Sequence, residues 1–471
     1  MKSRFYKLML AVLLLRVLFI LFSGLTNDEA YYWLWSNHLQ LSYYDHPPAT
    51  AYILKFFTLL LGNSAFSIHF TALFFSTIFI FTVFLWGKEL FDERVAFLGA
   101  ATLLLTPLFF IGGTVLSPDV ILGFFWMLTV ISVHRALKSD KRFYWYLAGV
   151  FAGLGALTKY IMFFVPAGVF LWLIFSQKDS VWLKRKEPYI SFIIMVLMFL
   201  PVIAWNEKNG WNSFSFHLVS RHSPGFSILR LIKFSVTQLF HISPVAYAAC
   251  WGSFYYLFKK GIAAGRDRTC GYLFFMSFPL VAGFTVLSLF VEVLSHWPAY
   301  GYAATIMALP AILKKESKLL KINLLISIVI SAVFVIQVFY PLIRIRKDAT
   351  DDLYGWKKVA GEVNRIKAQM PPDSFIMCER YEIGGQLSFY TGQDVWITRN
   401  NVTPWIDAGK LAGKDAIYVN NSRYPAEPRF VCHAKRFNLI KKIDVFRANR
   451  VIRTFNVYRC EDFIGLKKKK K

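Results

Sequence analysis

Charged residues are scarce in this chain of 471 residues. They make up 17% of it and hydrophobic residues 56%, whereas soluble domains have about 25% charged and about 45–50% apolar residues. The mean hydropathy is +0.44. This composition excludes an ordinary soluble protein and predicts a polytopic membrane protein, in which the 18% of aromatic residues suit lipid-facing helices.

Acidic residues are the scarcer of the two charged classes. The chain has 28 Asp and Glu against 54 Lys and Arg, which gives a net charge of +26. In a soluble protein such an excess indicates nucleic acid binding. In a membrane protein it is more often due to basic loops that set the topology, together with basic segments near anionic lipid. We therefore predict a membrane as partner and no nucleic acid.

Cysteines are few and motifs for nucleotide binding are missing. The five cysteines form no metal-ligand pattern. Cys250 and Cys270 flank a predicted cytoplasmic loop, where we expect reduced thiols. Among Cys378, Cys432 and Cys460 one pair could form a disulfide in an oxidising compartment, but the spacing does not say which pair. No GxGxxG motif and no P-loop is present, so no cytosolic nucleotide-binding domain is expected.

Long apolar runs predict a bundle of about 11 transmembrane helices, and up to 13 when short segments are counted. The fifth and sixth runs are short and could form one bent hairpin. The first run follows basic residues as a signal peptide does, but no small-residue cleavage site follows it, so we expect a retained helix. The runs lie near residues 8–24, 66–86, 95–112, 120–137, 145–158, 160–176, 189–205, 231–258, 271–291, 298–313 and 322–342.

The distribution of basic residues predicts the orientation. With the N-terminus in the cytoplasm, the inner segments hold 20 Lys and Arg and the opposite loops hold five, which is a strong positive-inside signal. Residues 1–342 are then a transmembrane domain whose outer loop 25–65 carries polar motifs. Residues 343–471 are predicted to be a soluble extracytoplasmic α/β domain with a basic tail. Its predicted helices are 353–370 and 383–390, and its predicted strands are 374–378, 395–398, 416–419 and 453–459.

The candidate functional residues crowd into the loops on the outer side. Ionisable groups close to lipid are costly, which makes them functional candidates. Carboxylates can supply a base or metal ligands, whereas Lys, Arg and His can hold an anion and aromatic rings can stack on a sugar. The candidates are Asp28, Glu29, Tyr31, Tyr32, Tyr44, Asp45, His46, Asp119, Lys159, His217, Arg221, His222, Glu292, His296 and Trp297. For a single one of them, the ordinary alternative is a solvated loop charge.

Three motifs in these loops carry a specific resemblance. They are Asp28-Glu29-Ala30-Tyr31-Tyr32-Trp33, then Tyr43-Tyr44-Asp45-His46-Pro47-Pro48, and later Ser117-Pro118-Asp119. Motifs of this kind and spacing resemble those of bacterial glycosyltransferases that use lipid-linked sugars. That family is related to protein mannosyltransferases and to the aminoarabinose transferase of lipid A. The resemblance covers residues 1 to about 310, whereas the C-terminal region is similar only in type.

The resemblance implies a fold, a donor and roles for the loop residues. The fold is the GT-C type, with two short helices in the first outer loop lying along the membrane. The donor is a polyprenyl-phosphate sugar, and transfer inverts the anomeric centre. Asp28 is the implied base, and Asp45 can meet a divalent metal, although no cofactor is required. His46 meets the lipid phosphate in the place where relatives commonly have Lys, so this contact would depend on pH.

Further residues complete the candidate site. Glu29 and Asp119 are the alternative catalytic carboxylates. The leaving phosphate needs several cations, and Lys159, Arg221, His222 and His296 are the remaining candidates. Tyr31, Tyr32, Tyr44 and Trp297 are the candidates for sugar or acceptor binding. Direct displacement needs one base and no covalent carboxylate nucleophile.

The sequence leaves the acceptor and two other functions open. Lipid A or lipopolysaccharide fits the likeness to the aminoarabinose transferase, and a protein Ser or Thr fits the likeness to the mannosyltransferases. A transporter or lipid flippase is the rival from another class. It would place charges in the middle of spans or break helices there, whereas here the ionisable groups crowd at one face. We therefore predict a glycosyltransferase of the bacterial inner membrane, with the active site and C-terminal domain on the periplasmic side.

Overall fold

A computed structural model of the chain describes residues 1–217, 225–265, 267–314, 317–345, 348–400 and 402–467. The chain divides into two compact units. Unit 1 comprises Met1–Leu21, Asp45–Thr50 and His69–Val335, and unit 2 comprises Phe22–Tyr44, Ala51–Ile68 and Ile336–Lys471. The predicted first outer loop is therefore shared between the units.

Helices dominate the described residues. In chain order they are α1 Lys2–Phe22, α2 Asn27–Asn37, α3 Ala49–Leu61, α4 Ala65–Leu90, α5 Glu93–Leu105, α6 Pro107–Gly112, α7 Pro118–Ser139, α8 Phe143–Ala156, α9 Phe164–Phe175, α10 Glu187–Lys208, α11 Asn212–Ser215, α12 Ile228–His241, α13 Pro244–Phe258, α14 Arg268–Leu287, α15 Ala299–Ile312, α16 Lys318–Phe339, α17 Trp356–Lys367, α18 Tyr381–Thr391 and α19 Pro428–Val431.

Six of the described helices are long and apolar enough to cross a membrane, judged by length and composition. They are α1, α4, α7, α10, α14 and α16. Shorter apolar helices, among them α3, α8 and α15, accompany them. A mostly helical membrane protein is thus confirmed. The number of about 11 crossings stays a prediction.

Two predicted spans are wrong in their continuity. Residues 95–112 belong to α5 and α6, which are separated at Thr106. Residues 231–258 do not form a single helix but belong to α12 and α13, which are separated at Ile242 and Ser243. Ser243 has a φ of 82°, and its hydroxyl accepts a hydrogen bond from the backbone N–H of Ala246. Pro244 occupies the first turn of α13, where its missing N–H costs nothing. The Ser-Pro pair therefore ends one helix and begins the next.

Glycines allow the helices of unit 1 to approach closely. A Cβ added to Gly99 of α5 would lie 2.3 Å from the carbonyl oxygen of Met307 in α15. A Cβ added to Gly123 of α7 would lie 2.3 Å from the ring of Tyr300 in α15. These contacts seat α15 against α5 and α7. The start of α7, which carries Asp119, is thereby fixed against Tyr300.

Unit 2 contains a five-stranded mixed sheet. Its strands are β1 Phe375–Cys378, β2 Val395–Ile397, β3 Ala416–Asn421, β4 Cys432–Arg447 and β5 Arg450–Leu466. The order is β2-β1-β3-β5-β4. Strand β1 is parallel to β2 and β3, and β5 is antiparallel to β3 and β4. The three short predicted strands are found, and the predicted strand 453–459 is the middle of the longer β5.

Strand β4 was not predicted. It lies at the edge of the sheet. Most of its side chains are exposed or half-buried, except for some residues near the turn that follows the strand. The apolar alternation that marks a strand is therefore weak there. Basic residues such as Lys441 and Lys442 suit such an edge, because charge discourages pairing with other chains.

Candidate active site

The N-terminus of α2 in unit 2 is closed by a capping box. The hydroxyl of Thr26 accepts a hydrogen bond from the backbone N–H of Glu29, at 3.2 Å. In return, the carboxylate of Glu29 accepts from the backbone N–H of Thr26 at 2.9 Å and from its hydroxyl at 3.0 Å. Glu29 is fully buried. Its carboxylate thus holds the helix that presents the neighbouring Asp28.

The side chain of Asp28, unlike that of Glu29, reaches solvent. The phenolic O–H of Tyr381 donates a hydrogen bond to Oδ1 of Asp28, at 3.1 Å. The protein that surrounds the carboxyl raises its pKa above the ordinary value by removing bulk water from around it. The hydrogen bond from Tyr381 lowers the pKa, and the charges of Glu382, Glu29 and Asp352 raise it further. A solvent-reachable carboxyl with a raised pKa is suited to accept a proton.

The aromatic candidates near Asp28 are packed to different extents. Tyr31 is buried, with its ring centroid 4.6 Å from that of Trp35 and 4.7 Å from that of Tyr381. Tyr32 is also buried, whereas Tyr44 is half-buried. Tyr31 therefore supports the packing of α2. The roles of these three residues in sugar or acceptor binding stay predictions.

Unit 1 contains a second acidic site, centred on Asp119. The ammonium group of Lys159 donates to both carboxylate oxygens of Asp119, each at 2.8 Å. Nε2 of His296 lies 3.6 Å from Oδ2 of Asp119. The structure thus brings together three of the predicted site residues. Because Lys159 neutralises Asp119, this carboxylate is a weaker candidate for the base than Asp28.

Local structure explains how the three residues meet. Ser117 precedes α7 in extended conformation, and Pro118 begins the helix, so that Asp119 lies in its first turn. The hydroxyl of Tyr300 donates to the backbone carbonyl of Asp119. Lys159 follows the end of α8 and precedes a turn of 3₁₀ helix at Tyr160–Phe163.

The second loop motif lies beside His217, also in unit 1. Nε2 of His217 donates to the backbone carbonyl of Asp45, at 2.6 Å. The ring centroids of His217 and His46 are 5.9 Å apart. The ring of Tyr160 meets His217 edge-on at 5.1 Å, and its hydroxyl shares a hydrogen bond with Ser213 at 2.8 Å. Tyr160 follows Lys159 directly, which links this motif to the Asp119 site along the chain.

The donor set around Asp45 does not fit a metal site. Within the described ranges, no group of three or more His, Cys, Asp or Glu side chains is placed to hold a metal ion. The backbone carbonyl of Asp45 is bonded by an imidazole of His217. We therefore derive no step through a metal.

The remaining candidates lie elsewhere. Trp297 is buried in the core of unit 1 and packs against Phe284, with a centroid distance of 5.5 Å. Arg221 and His222 lie outside the described residues. Their contacts with phosphate stay predictions.

Two residues near these sites were missed by the sequence reasoning, namely Tyr381 and Tyr300. Tyr300 lies within an apolar helix and gave no signal. Tyr381 begins α18 just beyond the carboxyl end of β1, a strand with parallel neighbours on both sides. Ligands and functional side chains gather at such strand ends, and this signal could have been used.

Solved structures with the same fold were found for nearly the whole chain. ArnT from Cupriavidus metallidurans, solved with bound undecaprenyl phosphate, aligns with a TM-score of 0.65 over 97% of this chain and 98% of that one, at 12% sequence identity. ArnT in the apo state aligns with a TM-score of 0.64 at 13% identity. This likeness establishes the fold, which is that of ArnT.

Sequence relatives agree with the fold. Residues 45–205 match the family model described as dolichyl-phosphate-mannose-protein mannosyltransferase. The lipid A galacturonosyltransferase RgtD of Rhizobium johnstonii is 25% identical over 384 residues, which are 78% of this chain and 77% of that protein. The undecaprenyl phosphate-alpha-4-amino-4-deoxy-L-arabinose arabinosyl transferase of Pectobacterium carotovorum is 28% identical over 39% of this chain and 34% of that protein. The chain is thus similar to these glycosyltransferases in sequence, and the resemblance that its motifs predicted is confirmed.

Proposed function

We propose that this protein is an inverting glycosyltransferase that moves a sugar from a polyprenyl-phosphate donor to lipid A or lipopolysaccharide. The observation that carries the proposal is the similarity to a lipid A galacturonosyltransferase across 78% of the chain. The likeness in fold to ArnT with bound undecaprenyl phosphate supports the choice of donor.

Asp28 is the proposed base. The hydroxyl oxygen of the acceptor attacks the anomeric carbon of the sugar, and the bond from that carbon to the phosphate oxygen breaks. The proton of the hydroxyl passes to the carboxylate of Asp28, and the polyprenyl phosphate leaves with the electron pair. One displacement inverts the anomeric centre. Asp28 suits this role because it reaches solvent and has a raised pKa.

The cationic residues at the predicted outer face are proposed to receive the donor phosphate. Within the described residues these are His46, Lys159 and His296, all in unit 1. The other two, Arg221 and His222, lie outside the described residues. Lys159 already faces Asp119, and His296 adds a positive charge only when it is protonated. An additional permanent cation is therefore needed to stabilise the leaving phosphate, and Arg221 is the best candidate.

Topology and domain division are part of the same proposal. The excess of basic residues in the predicted inner segments places the N-terminus in the cytoplasm. The active-site loop 25–65 and the C-terminal domain, residues 343–471, then lie on the periplasmic side of the inner membrane. A donor held by its lipid reaches such a site from the bilayer, so that no nucleotide pocket is needed.

A protein acceptor is the second candidate. It is favoured by the match of residues 45–205 to a protein mannosyltransferase family model. A Ser or Thr hydroxyl would be deprotonated by the same base. The two candidates differ in the acceptor alone.

The experiment is single-turnover transfer by the purified protein in detergent. Polyprenyl phosphates carrying galacturonic acid or 4-amino-4-deoxyarabinose are offered with lipid A, and in parallel with a Ser/Thr-containing peptide. Mass spectrometry identifies the product. We expect glycosylated lipid A, and we expect Asp28→Asn to lower turnover by roughly 10²–10⁴-fold.

Each other outcome has a definite meaning. A glycosylated peptide with unmodified lipid A supports the second candidate. Protein-dependent movement of the lipid across a vesicle membrane without sugar transfer supports a transporter and contradicts both candidates. Normal turnover by Asp28→Asn moves the base to Asp119 or Glu29.

A further inference from the structure

Helix α18 packs against α2, the helix that carries Asp28, and both belong to unit 2. The approach is close enough to require a glycine. A Cβ added to Gly385 would lie 2.8 Å from the backbone nitrogen of Tyr31 and 3.0 Å from the carbonyl carbon of Ala30. Real Cβ atoms essentially never come nearer than 3.0 Å. The two backbones are therefore in direct contact one turn beyond Asp28.

Polar and aromatic contacts fix α18 along α2. Nε2 of Gln386, which is fully buried, donates to the backbone carbonyl of Leu25 at 2.8 Å and to Oδ1 of Asn27 at 3.2 Å. The ring of Phe389 meets that of Trp33 edge-on at a centroid distance of 5.0 Å. The α2 helix is thus held on both sides of Asp28 by residues of α18.

Tyr381 is the residue of α18 that reaches the carboxylate. Its ring lies against Tyr31, at a centroid distance of 4.7 Å, and its O–H donates to Oδ1 of Asp28. Ring packing restricts the direction of the O–H, and one carboxylate oxygen is thereby fixed in place. A base must be held in a defined geometry to accept a proton efficiently.

The charged groups with the largest effects on Asp28 are acidic. Glu382 is paired with Arg380, at 2.6 Å. Asp352 is paired with Arg453, at 2.9 Å, and also with Arg423. Glu29 is held in the capping box. Among the groups that influence Asp28 most, Tyr381 is the one that lowers its pKa.

We propose that Tyr381 is a positioning residue, which orients the Asp28 carboxylate and favours its ionised form for proton transfer. This inference rests on the proposed function of Asp28 as the base. It assigns to α18, in the part of the chain where the resemblance is weakest, the orientation of a side chain of α2.

The test is Tyr381→Phe, which keeps the ring and removes the O–H. We expect kcat to fall by about 10–100-fold, since a misplaced reacting group costs up to about 10²-fold, while the donor KM is unchanged. We also expect the acidic limb of the pH profile of kcat/KM to move to higher pH, because a hydrogen bond that favours the ionised carboxyl is lost. The matched control is Tyr418→Phe, which removes a hydrogen bond to the carbonyl of Ala426 in the same unit and should leave both quantities unchanged.

A second pair of variants tests the same idea without altering Tyr381. Gly385→Ala forces α18 away from α2, whereas Gly361→Ala in α17 adds a methyl group where nothing lies within 4 Å. We expect Gly385→Ala to lower kcat by at least tenfold at unchanged donor KM, and Gly361→Ala to have no effect. This pair also decides the matter if Tyr381→Phe does not fold.

The outcomes separate this inference from the proposed function. If Asp28→Asn is inactive but Tyr381→Phe keeps its kcat and its pH profile, the positioning role is wrong and the base assignment stands. If Asp28→Asn is fully active, the base assignment itself fails. A loss of kcat in Tyr381→Phe with an unmoved acidic limb would also overturn the proposed control of ionisation.

Discussion

The ammonium nitrogen of Lys159 lies 2.8 Å from each of the two carboxylate oxygens of Asp119. Both side chains are largely buried, with 8% and 14% of their surfaces exposed. The pair therefore acts as one neutral unit. From the sequence, Asp119 and Lys159 were separate candidates for a base and a phosphate cation, and the structure shows that neither charge can be changed without affecting the other.

We predict that Lys159→Met destabilises the protein by about 3–5 kcal/mol, because it leaves the buried carboxylate of Asp119 without its counter-charge. Chemical unfolding in detergent measures this loss. The double variant Asp119→Asn/Lys159→Met should recover most of the stability, since it removes both charges. Lys208→Met, on the exposed end of α10, is the control. Equal stability of Lys159→Met and the unaltered protein would contradict the pairing.

We predict that Asp28→Asn makes the protein more stable at neutral pH. The folded-state pKa of Asp28 is raised above its ordinary value of 3.8, so folding favours the protonated carboxyl. Stability from this group is present below pH 3.8 and is lost as the pH rises through the raised value. The asparagine variant avoids this loss, and its advantage in melting temperature should shrink as the pH is lowered.

The control for that measurement is Asp373→Asn, at an exposed position, which should show no such trend. A lower melting temperature for Asp28→Asn at pH 7 would show that the ionised form of Asp28 is instead stabilised by folding. That result would also remove the support that the raised pKa gives to its role as base.

We predict that Arg221→Ala raises the donor KM by roughly 10–100-fold, as expected for a lost charge-assisted hydrogen bond. The effect should be the same at every pH from 6 to 8, because the guanidinium stays charged. If His46, His222 or His296 provided the charge instead, activity would decline as the pH rises above about 7. Arg230→Ala is the control, since Arg230 donates to the backbone carbonyls of Gly225 and Phe290.

We predict that Cys432 and Cys460 form a disulfide when the protein is made in an oxidising compartment. The sequence left the pair open, and the structure buries both of these thiols in one apolar cluster, on the adjacent strands β4 and β5. Cys378 instead donates to the backbone carbonyl of Arg380, at 3.3 Å. Peptide mapping under non-reducing conditions identifies the bond, and Cys250→Ser should leave it unchanged. Two free thiols at 432 and 460 in protein from the periplasmic side would contradict the prediction.

Some local features of the fold were predicted from the sequence, and other local features could have been predicted but were missed. The short strands β1, β2 and β3 were found because apolar residues lie between clear turn signals. The capping box could also have been recognised, because Glu29 follows Thr26 by three residues. Glu29 was instead considered only as a catalytic candidate. Likewise the Ser243-Pro244 pair indicates a helix start, yet the apolar run across it was taken as one span.

The contacts of Asp28 could not be predicted from one sequence. Tyr381 is 353 positions away from Asp28 along the chain, and no periodicity or spacing relates residues so far apart. The pairing of Lys159 with Asp119, 40 positions apart, could not be predicted for the same reason. Motifs indicate which residues are candidates for the chemistry, whereas the partners that set their charge and direction depend on tertiary structure.

The contact between α18 and α2 also has a consequence for biosynthesis. The ribosome makes Tyr381 353 residues after Asp28. At about 5–20 residues per second, the two are separated by on the order of tens of seconds. During that time α2 has neither Gln386 nor Tyr381 to hold it. A nascent chain stalled before residue 381 therefore carries the entire Asp28 motif without the hydrogen bond from Tyr381, and that bond can form only after α18 has been made.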